Sequence, residues 1–528
     1  MFKKHFIYLS LIALGFIGCG GKEGGSPNNH GLSTKNNVVW WQLADATNII
    51  PGLNHDATAS YVAAIIWEPL NGADARTNEL VPLLASLPEI SEDHLTYTYT
   101  INPKAKFSDG KPLTGEDVVF SFKTTMNPAQ VETSSLKNYL NSVDSISFVG
   151  GDKMKIAFHI NEPYFQNDKV LGGGYVKILP KHIFDPNGLC DQMSWSDIKS
   201  NNPAKAKLFK EQADYFASPE KARDPKYLIG SGSYVFSEWK TNDRITIKRD
   251  PNYWGKDVPW AESYPDEIIF KTITDNNAAL TALKSKDIDI MDNVPSPLFV
   301  QLDTAKQPFI KKDTVYYNSR VFIEWNGKHQ IFSDKKVRWA MAYLVNREVI
   351  IKEVMKGLAR PVNSPINFTQ PFHDASLQTI PFDPEKSKQL LAEAGWSDSD
   401  GDGILDKTIN GKKIPFEFTF MNNSGSDIIK QITLILSEQM KKVGIKANIT
   451  SVEWSLWIEN TRTQKYDAAI ANMLGNASED DPYQLWHSSQ SKNKGSNVYS
   501  FVNAEADKLL EMNRVEFDKA KRGEYMKR

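Results

Sequence analysis

Cysteine is almost missing from this chain of 528 residues: Cys19 and Cys190 are its full complement. Two thiols cannot build the disulfide framework of a small secreted domain. The nine histidines are scattered, with no paired metal-ligand spacing. There is no His-Glu-x-x-His, no Gly-x-Ser-x-Gly and no Walker A motif. Ser-x-x-Lys recurs along the chain, for example at Ser134–Lys137, Ser218–Lys221, Ser333–Lys336 and Ser489–Lys492, with no Ser-Asp-Asn or Lys-Thr-Gly companion. The chain is therefore not expected to be an enzyme, and no cofactor is expected. An excess charge of one sign is missing too: 62 Lys and Arg face 64 Asp and Glu, for a net charge of −2. That balance, without a long basic run, argues against nucleic acid as a partner and against a broad basic surface for anionic lipid. The longest apolar run, Phe6–Ile17, is too short to span a bilayer.

What that run does have is the layout of an export signal. Lys3 and Lys4 precede it, and Gly18-Cys19 closes it. Phe16-Ile17-Gly18-Cys19 resembles a bacterial lipobox with Phe in place of the usual Leu, which implies a lipid anchor on Cys19. An ordinary signal peptide with an incidental cysteine is the alternative. Cys190 reads as a small buried apolar residue. The segment after Cys19 is rich in Gly, Asn and Ser, a flexible tether reaching about 20–25 Å.

The best-specified stretch is Lys104–Lys123. Ahead of it, Leu95, Tyr97, Tyr99 and Ile101 alternate with threonines, the period of a half-buried strand. Ser108-Asp109-Gly110-Lys111-Pro112 supplies turn chemistry. Thr114 can cap a helix, with Asp117 in a capping-box position and Val118, Val119, Phe122 and Met126 on one apolar face. Further on, Glu267–Thr274, a helix near Asn277–Lys284 and Asp287–Ile290 alternate strand, helix, strand, which argues for a partly parallel sheet. Asp334 or Ser333 and Asn346 are helix caps. Asp383-Pro384 opens a helix that Gly395 closes, and a long amphipathic helix Asp427–Val443 stops at Gly444. Gly172-Gly173-Gly174 reads as a flexible crossing, and Ser196–Lys226 as an exposed polar insertion.

The stretch Lys104–Lys123 resembles the signature region of family 5 extracellular solute-binding proteins, receptors that feed ABC importers. Asp250-Pro251-Asn252-Tyr253-Trp254-Gly255 is similar to that family's next turn, and Ser233 stands where a Pro is usual. Asn326, Val337-Arg338-Trp339-Ala340, Arg347 and Gly357-Leu358-Ala359 match a further family segment, as do Pro482–Ser489 and Asn497-Val498-Tyr499. The resemblance implies an α/β fold of the type II periplasmic-binding kind, with two hinged lobes and an extra small α/β domain. Its boundaries would be 1–18 for the signal peptide and 19–37 for the lipidated tether. Lobe I would comprise 38–70, 178–315 and 490–528, the small domain 71–177, and lobe II 316–489. A final strand usual in the family is missing after Arg528, so truncation is expected.

The same resemblance places the ligand in an interlobe cleft lined by His55, Asp56, Tyr139 and Trp454. It also calls for an acidic anchor for a ligand's amino group shortly before Pro482. Counting from Trp454 puts Asn476 there, counting back from Pro482 puts Ser478, and a local shift brings in Glu479 or Asp480. The implied role is substrate capture for an ABC permease and ATPase, the ligand being a peptide or similar small solute. An exported, membrane-anchored monomer on the periplasmic or cell-surface side is expected. A signalling or chaperone-like lipoprotein on the same fold is one alternative, and a surface peptidase another. Finally, Asp398, Asp400, Asp402 and Asp406 with Gly403 are spaced like a calcium loop, but Ile409 stands where the bidentate Glu belongs. The loop is read as a surface turn, with no metal expected.

Overall fold

Local signals set many of the element ends before packing is considered. The computed structural model describes residues 36–528, apart from 55, 259–260, 262, 317–318, 369, 371, 475–480 and 493–494. The export signal, Cys19 and most of the tether lie outside the described residues. The described chain forms two units: the residues up to Val294 with Thr304–Val315, and Pro295–Asp303 with Tyr316–Arg528.

In the first unit, one sheet runs in the order Asn37–Gln42, Glu267–Thr272, Arg244–Arg249, Tyr234–Lys240. Its first pair is parallel and the others antiparallel. Trp40 also bridges Ile290 in parallel, so the strand–helix–strand reading around Asn276–Ser285 is met. An antiparallel sheet orders Glu89–Ile90, Thr96–Thr100, Lys155–Ile160 and Val143–Phe148. Tyr97, Tyr99 and Ile101 are buried, as their alternation requires.

The helix Gly115–Met126 starts with the expected capping box. The Thr114 hydroxyl accepts from the amide of Glu116, and the Asp117 carboxylate accepts from the amide of Thr114 at 2.9 Å. Its burial exceeds the single apolar face that its sequence shows. Val118, Phe122 and Met126 enter the core of the antiparallel sheet, while Phe120 enters a second core with Ile49, Ala59, Ile247 and Phe270. The helix is thus held between two cores.

Two other expectations are corrected. The glycine run is no open crossing: Gly172 ends the helix Asn167–Gly172, and a Cβ there would lie 2.4 Å from Asn71 Oδ1. The run is a close-packing site within the first unit. Nor is 196–226 merely a polar insertion. The helix Ala206–Phe216 buries Phe209, Ala213 and Phe216, and Lys221 is sunk against the Tyr215 ring with its ammonium donating to the Tyr215 carbonyl. Cys190 is buried as expected, and burial pushes its thiol up to about 12.

One buried acid ties several of these segments together. Glu68 accepts from the Tyr253 hydroxyl at 2.5 Å and from the Trp254 indole at 3.2 Å. Burial pushes its carboxyl up to about 7, against these hydrogen bonds and the nearby Lys177 charge. Lys177 is in turn pushed down to about 8 by burial.

The second unit is built on the sheet Ser319–Trp325, Ala468–Leu474, Glu417–Asn423, Lys446–Val452. The first pair is antiparallel and the rest parallel. One face carries the main core, into which the helices Lys335–Tyr343, Pro384–Glu393 and Asp427–Lys441 send Val337, Leu391 and Leu436. The predicted ends hold: Asp334 and Asp383 cap, and Gly395 and Gly444 take positive φ. The helices Ala504–Val515 and Lys519–Lys527 complete this unit. No helix among the described residues is long and apolar enough to cross a membrane.

Truncating Phe120 to Ala should remove a fully buried ring that joins the helix to its second core. The expected loss is about 3–5 kcal/mol, read by chemical denaturation. A loss like that of an exposed site would mean the helix needs only its first face.

Candidate functional site

The edge strand Ser319–Trp325 decides which side of the second sheet can do chemistry. Alternation puts Val321, Ile323 and Trp325 against the main core and Arg320, Phe322 and Glu324 on the other face. Opposite them on the antiparallel partner stand Met473, Ala471 and Ala469. Those two alanines are small, and the face is covered by a lesser cluster of Met421, Trp457 and Tyr466.

Glu324 lies in this cover, 3 % exposed. Its Oε2 is buried and meets no hydrogen-bond donor among the described residues. The nearby Tyr466 hydroxyl donates elsewhere, to the Val498 carbonyl at 2.9 Å. Burial without donors pushes the Glu324 carboxyl up to about 8. Burial, and after it the Glu324 charge, raises the phenols of Tyr466 and Tyr499. Arg320 acts on Tyr499 in the opposite sense, so this phenol lies within electrostatic reach of both charged residues. Arg320 itself donates to the Pro365 carbonyl at 2.8 Å and reaches the Met473 sulfur at 3.5 Å. A hydrophobic–polar alternation would assign Arg320 and Glu324 to solvent, which is why sequence reasoning passes over them. The available signal is Phe322 between them, an aromatic on a face otherwise read as wet.

Trp454 starts the helix Trp454–Arg462 and stacks on Trp457 with ring centroids 5.0 Å apart and planes 12° apart. Trp457 belongs to the cluster on the Glu324 face, while Trp454 remains 47 % exposed. Glu453 accepts from the Ser424 hydroxyl at 2.9 Å. Past the residues 475–480, Asp481 accepts from Arg514 at 2.8 Å, and Arg514 lies over Tyr483, which stacks on His487. These contacts fix one end of the segment to the helix Ala504–Val515.

The other expected ligand residues belong to the first unit or lie outside the described residues. Asp56 is in the first unit and caps the helix Ala57–Ile66. It accepts from the Ala59 amide at 2.7 Å and from the amide and hydroxyl of Thr47 at 3.0 and 2.9 Å. Tyr139, also in the first unit, packs its ring on Tyr175 at 4.8 Å. His55, Asn476, Ser478, Glu479 and Asp480 lie outside the described residues.

The aspartate loop is a hydrogen-bonded turn with one lysine among its carboxylates. Asp398, Asp400 and Asp406 offer oxygens within 4.8 Å of one another. The Lys413 ammonium sits beside them, 2.6 Å from Asp400 and 3.2 Å from Asp406. Asp398 accepts from the amides of Gly401 and Gly403, and Asp402 from that of Ile404. Hydrogen bonding from Lys413 lowers the Asp400 carboxyl, and the Ser399 amide, foremost among several groups, lowers that of Asp406.

Residues 79–496 match the family model for bacterial extracellular solute-binding proteins, family 5, middle region. The chain is 30 % identical over 494 residues to the oligopeptide-binding protein AppA of Bacillus subtilis strain 168, covering 93 % of this chain and 81 % of that one. The structure of AppA from Bacillus subtilis with a nonapeptide superposes with a TM-score of 0.69 at 27 % identity, covering 93 % of this chain and 89 % of that one. NikA from Brucella suis in complex with Fe(III)-EDTA shares the fold, with a TM-score of 0.72 at 20 % identity over 93 % and 90 % of the two chains. The fold is that of the type II periplasmic binding proteins.

Two outcomes follow from these geometries. The folded state holds the Glu324 proton up to about pH 8, whereas the unfolded chain gives it up near 4.5. Its contribution to stability is therefore full below pH 4.5 and lost as the pH rises to about 8. Glu324→Gln should gain melting temperature relative to the native protein as the pH rises through that window. A pH-independent difference would contradict the assignment. Added calcium should not raise the melting temperature, because Lys413 already supplies the positive charge; a clear rise would show that the ion displaces it.

Proposed function

Because this chain belongs to the bacterial extracellular solute-binding proteins, family 5, we propose that it captures a peptide or similar small solute for the permease and ATPase of an ABC importer. The observation that carries the reading is the Glu324 carboxylate, buried on the second unit's sheet with an oxygen that no donor meets among the described residues. A buried carboxylate is costly without a partner, and a ligand ammonium group supplies one. The exposed Trp454, stacked on Trp457, offers an apolar surface beside the same cluster. His55, Asn476, Glu479 and Asp480 are proposed to contribute further ligand contacts. Asp56 and Tyr139 act as supports, since the one is engaged in capping and the other packs on Tyr175. The AppA relative, solved with a nonapeptide, supports a peptide as the ligand class. The function is binding without turnover, by a monomer anchored to the membrane through lipid on Cys19 and facing away from the cytoplasm.

The test is native mass spectrometry of the purified protein with a mixed peptide pool. Intact peptide retained at one per chain is expected. Cleaved products, or no retained peptide, would overturn the reading. Glu324→Gln should weaken capture of peptides with a free amino terminus about tenfold or more. Since an ammonium group pairs with the ionised carboxylate, capture displaces the Glu324 proton. Native affinity should therefore fall as the pH drops below about 8, and the variant should lose that dependence.

A further inference from the structure

We propose that Asn422 reads the main chain of the bound peptide, its side-chain amide pairing with one peptide group of the ligand. The inference rests on the peptide reading above and adds a contact that needs neither a charge nor a particular side chain.

The strand Glu417–Asn423 sends Phe418, Phe420 and Asn422 to one face and Met421 to the other. Phe418 and Phe420 enter the main core with Ile429 and Ile432 of the helix Asp427–Lys441. Asn422 stands next along the same face, in register with Ile470 of that core on one side and Ser451 on the other. Burial on such a face calls for an apolar residue. The side chain is instead an amide, 1 % exposed, and neither its Oδ1 nor its Nδ2 has a hydrogen-bond partner.

Other buried amides of the chain are engaged. Asn127 donates to the Phe209 carbonyl at 2.8 Å and to Gln212 at 2.6 Å. Asn326 donates to the Tyr466 carbonyl, and Asn497 to that of Phe501, each at 2.7 Å. Even the next residue, Asn423, accepts from the Gly425 amide at 3.0 Å. Among the described residues, Asn422 is the one side chain with two buried polar atoms unpaired. Such a group lowers stability, and native chains break this rule where function uses the group.

The place fits a ligand contact. Open α/β sheets bind ligands past the carboxyl ends of their parallel strands. Three parallel strands of the second unit end on one side of its sheet: Ala468–Leu474, Glu417–Asn423 and Lys446–Val452. Asn422 is the last residue but one of the middle strand. Trp454 comes just past Val452, and Asn476, Glu479 and Asp480 follow Leu474 in the chain. The Ser424 amide donates to the Val452 carbonyl at 2.8 Å and its hydroxyl to Glu453 at 2.9 Å. The turn after Asn422 is thereby tied to the segment of Trp454. A peptide group offers one donor and one acceptor, and a carboxamide answers with both. Pairing of this kind is blind to the ligand's side chains.

The experiment uses the full protein, native and Asn422→Leu, read by native mass spectrometry. The probes are one tetrapeptide retained from a mixed library and its singly N-methylated analogues, each lacking one peptide N–H. At one position N-methylation should weaken capture by the native protein about tenfold. That penalty should vanish in Asn422→Leu, which should also hold the unmodified peptide about tenfold less well. Without ligand the variant should melt no lower than the native protein, because two unpaired polar atoms are gone. Native protein indifferent to N-methylation at every position overturns the proposal, as does a penalty that persists unchanged in the variant. Equal capture of the unmodified peptide by both proteins overturns it too, and assigns Asn422 to a buried water. A lower melting temperature of the unliganded variant overturns it by showing that the amide has partners inside the fold. All four leave the peptide reading intact. Retention of no peptide by the native protein overturns that reading and this proposal together.

Discussion

A carboxylate taken out of water must give up its charge or find another to match it, and Glu324 sets the terms for everything around it. Burial without donors holds it protonated to about pH 8. The strand that carries it is an edge strand, whose far face is committed to the main core through Val321, Ile323 and Trp325. The near face can then be thin. Ala469 and Ala471 pack under Met421, Trp457 and Tyr466, and one short helix with the Trp454–Trp457 stack adds to the cover.

The other buried acids of the molecule show what a purely structural carboxylate looks like. Glu68 is also deeply buried, yet a tyrosine hydroxyl and a tryptophan indole donate to it and a lysine lies nearby. Asp56 and Asp117 spend their oxygens on backbone amides at helix starts. The exposed aspartate loop is answered by Lys413. In each case the negative charge is met from within the chain. Glu324 departs from this pattern, with an oxygen that no donor meets among the described residues.

Much of the scaffold was legible because its signals are local. The capping box at Thr114 and Asp117, the Asp383-Pro384 start and the glycine stops at 395 and 444 act within a few residues of themselves. The alternation of Tyr97, Tyr99 and Ile101 needs only a sheet with one dry face. The family was legible for the same reason, since its signature region is such a scaffold. Phe120 was not legible as a core residue, because a helix between two cores buries a side that its own periodicity marks as secondary. The glycine run was misread as a crossing because the approach of Asn71 comes from about a hundred residues earlier in the chain.

The candidate site divides along the same line. Sequence alone determined the α/β scaffold, the element boundaries and the membership of a solute-binding family, and it singled out Trp454. It could not determine Arg320 and Glu324, because alternation says which residues share a face and is silent on whether that face is wet. That was decided by tertiary structure: the lesser cluster around Trp457 and Tyr466 closes over the face that bears Glu324. Burial is a property of what arrives from elsewhere in the chain, and it is burial that turns an ordinary strand glutamate into a charge in need of a partner.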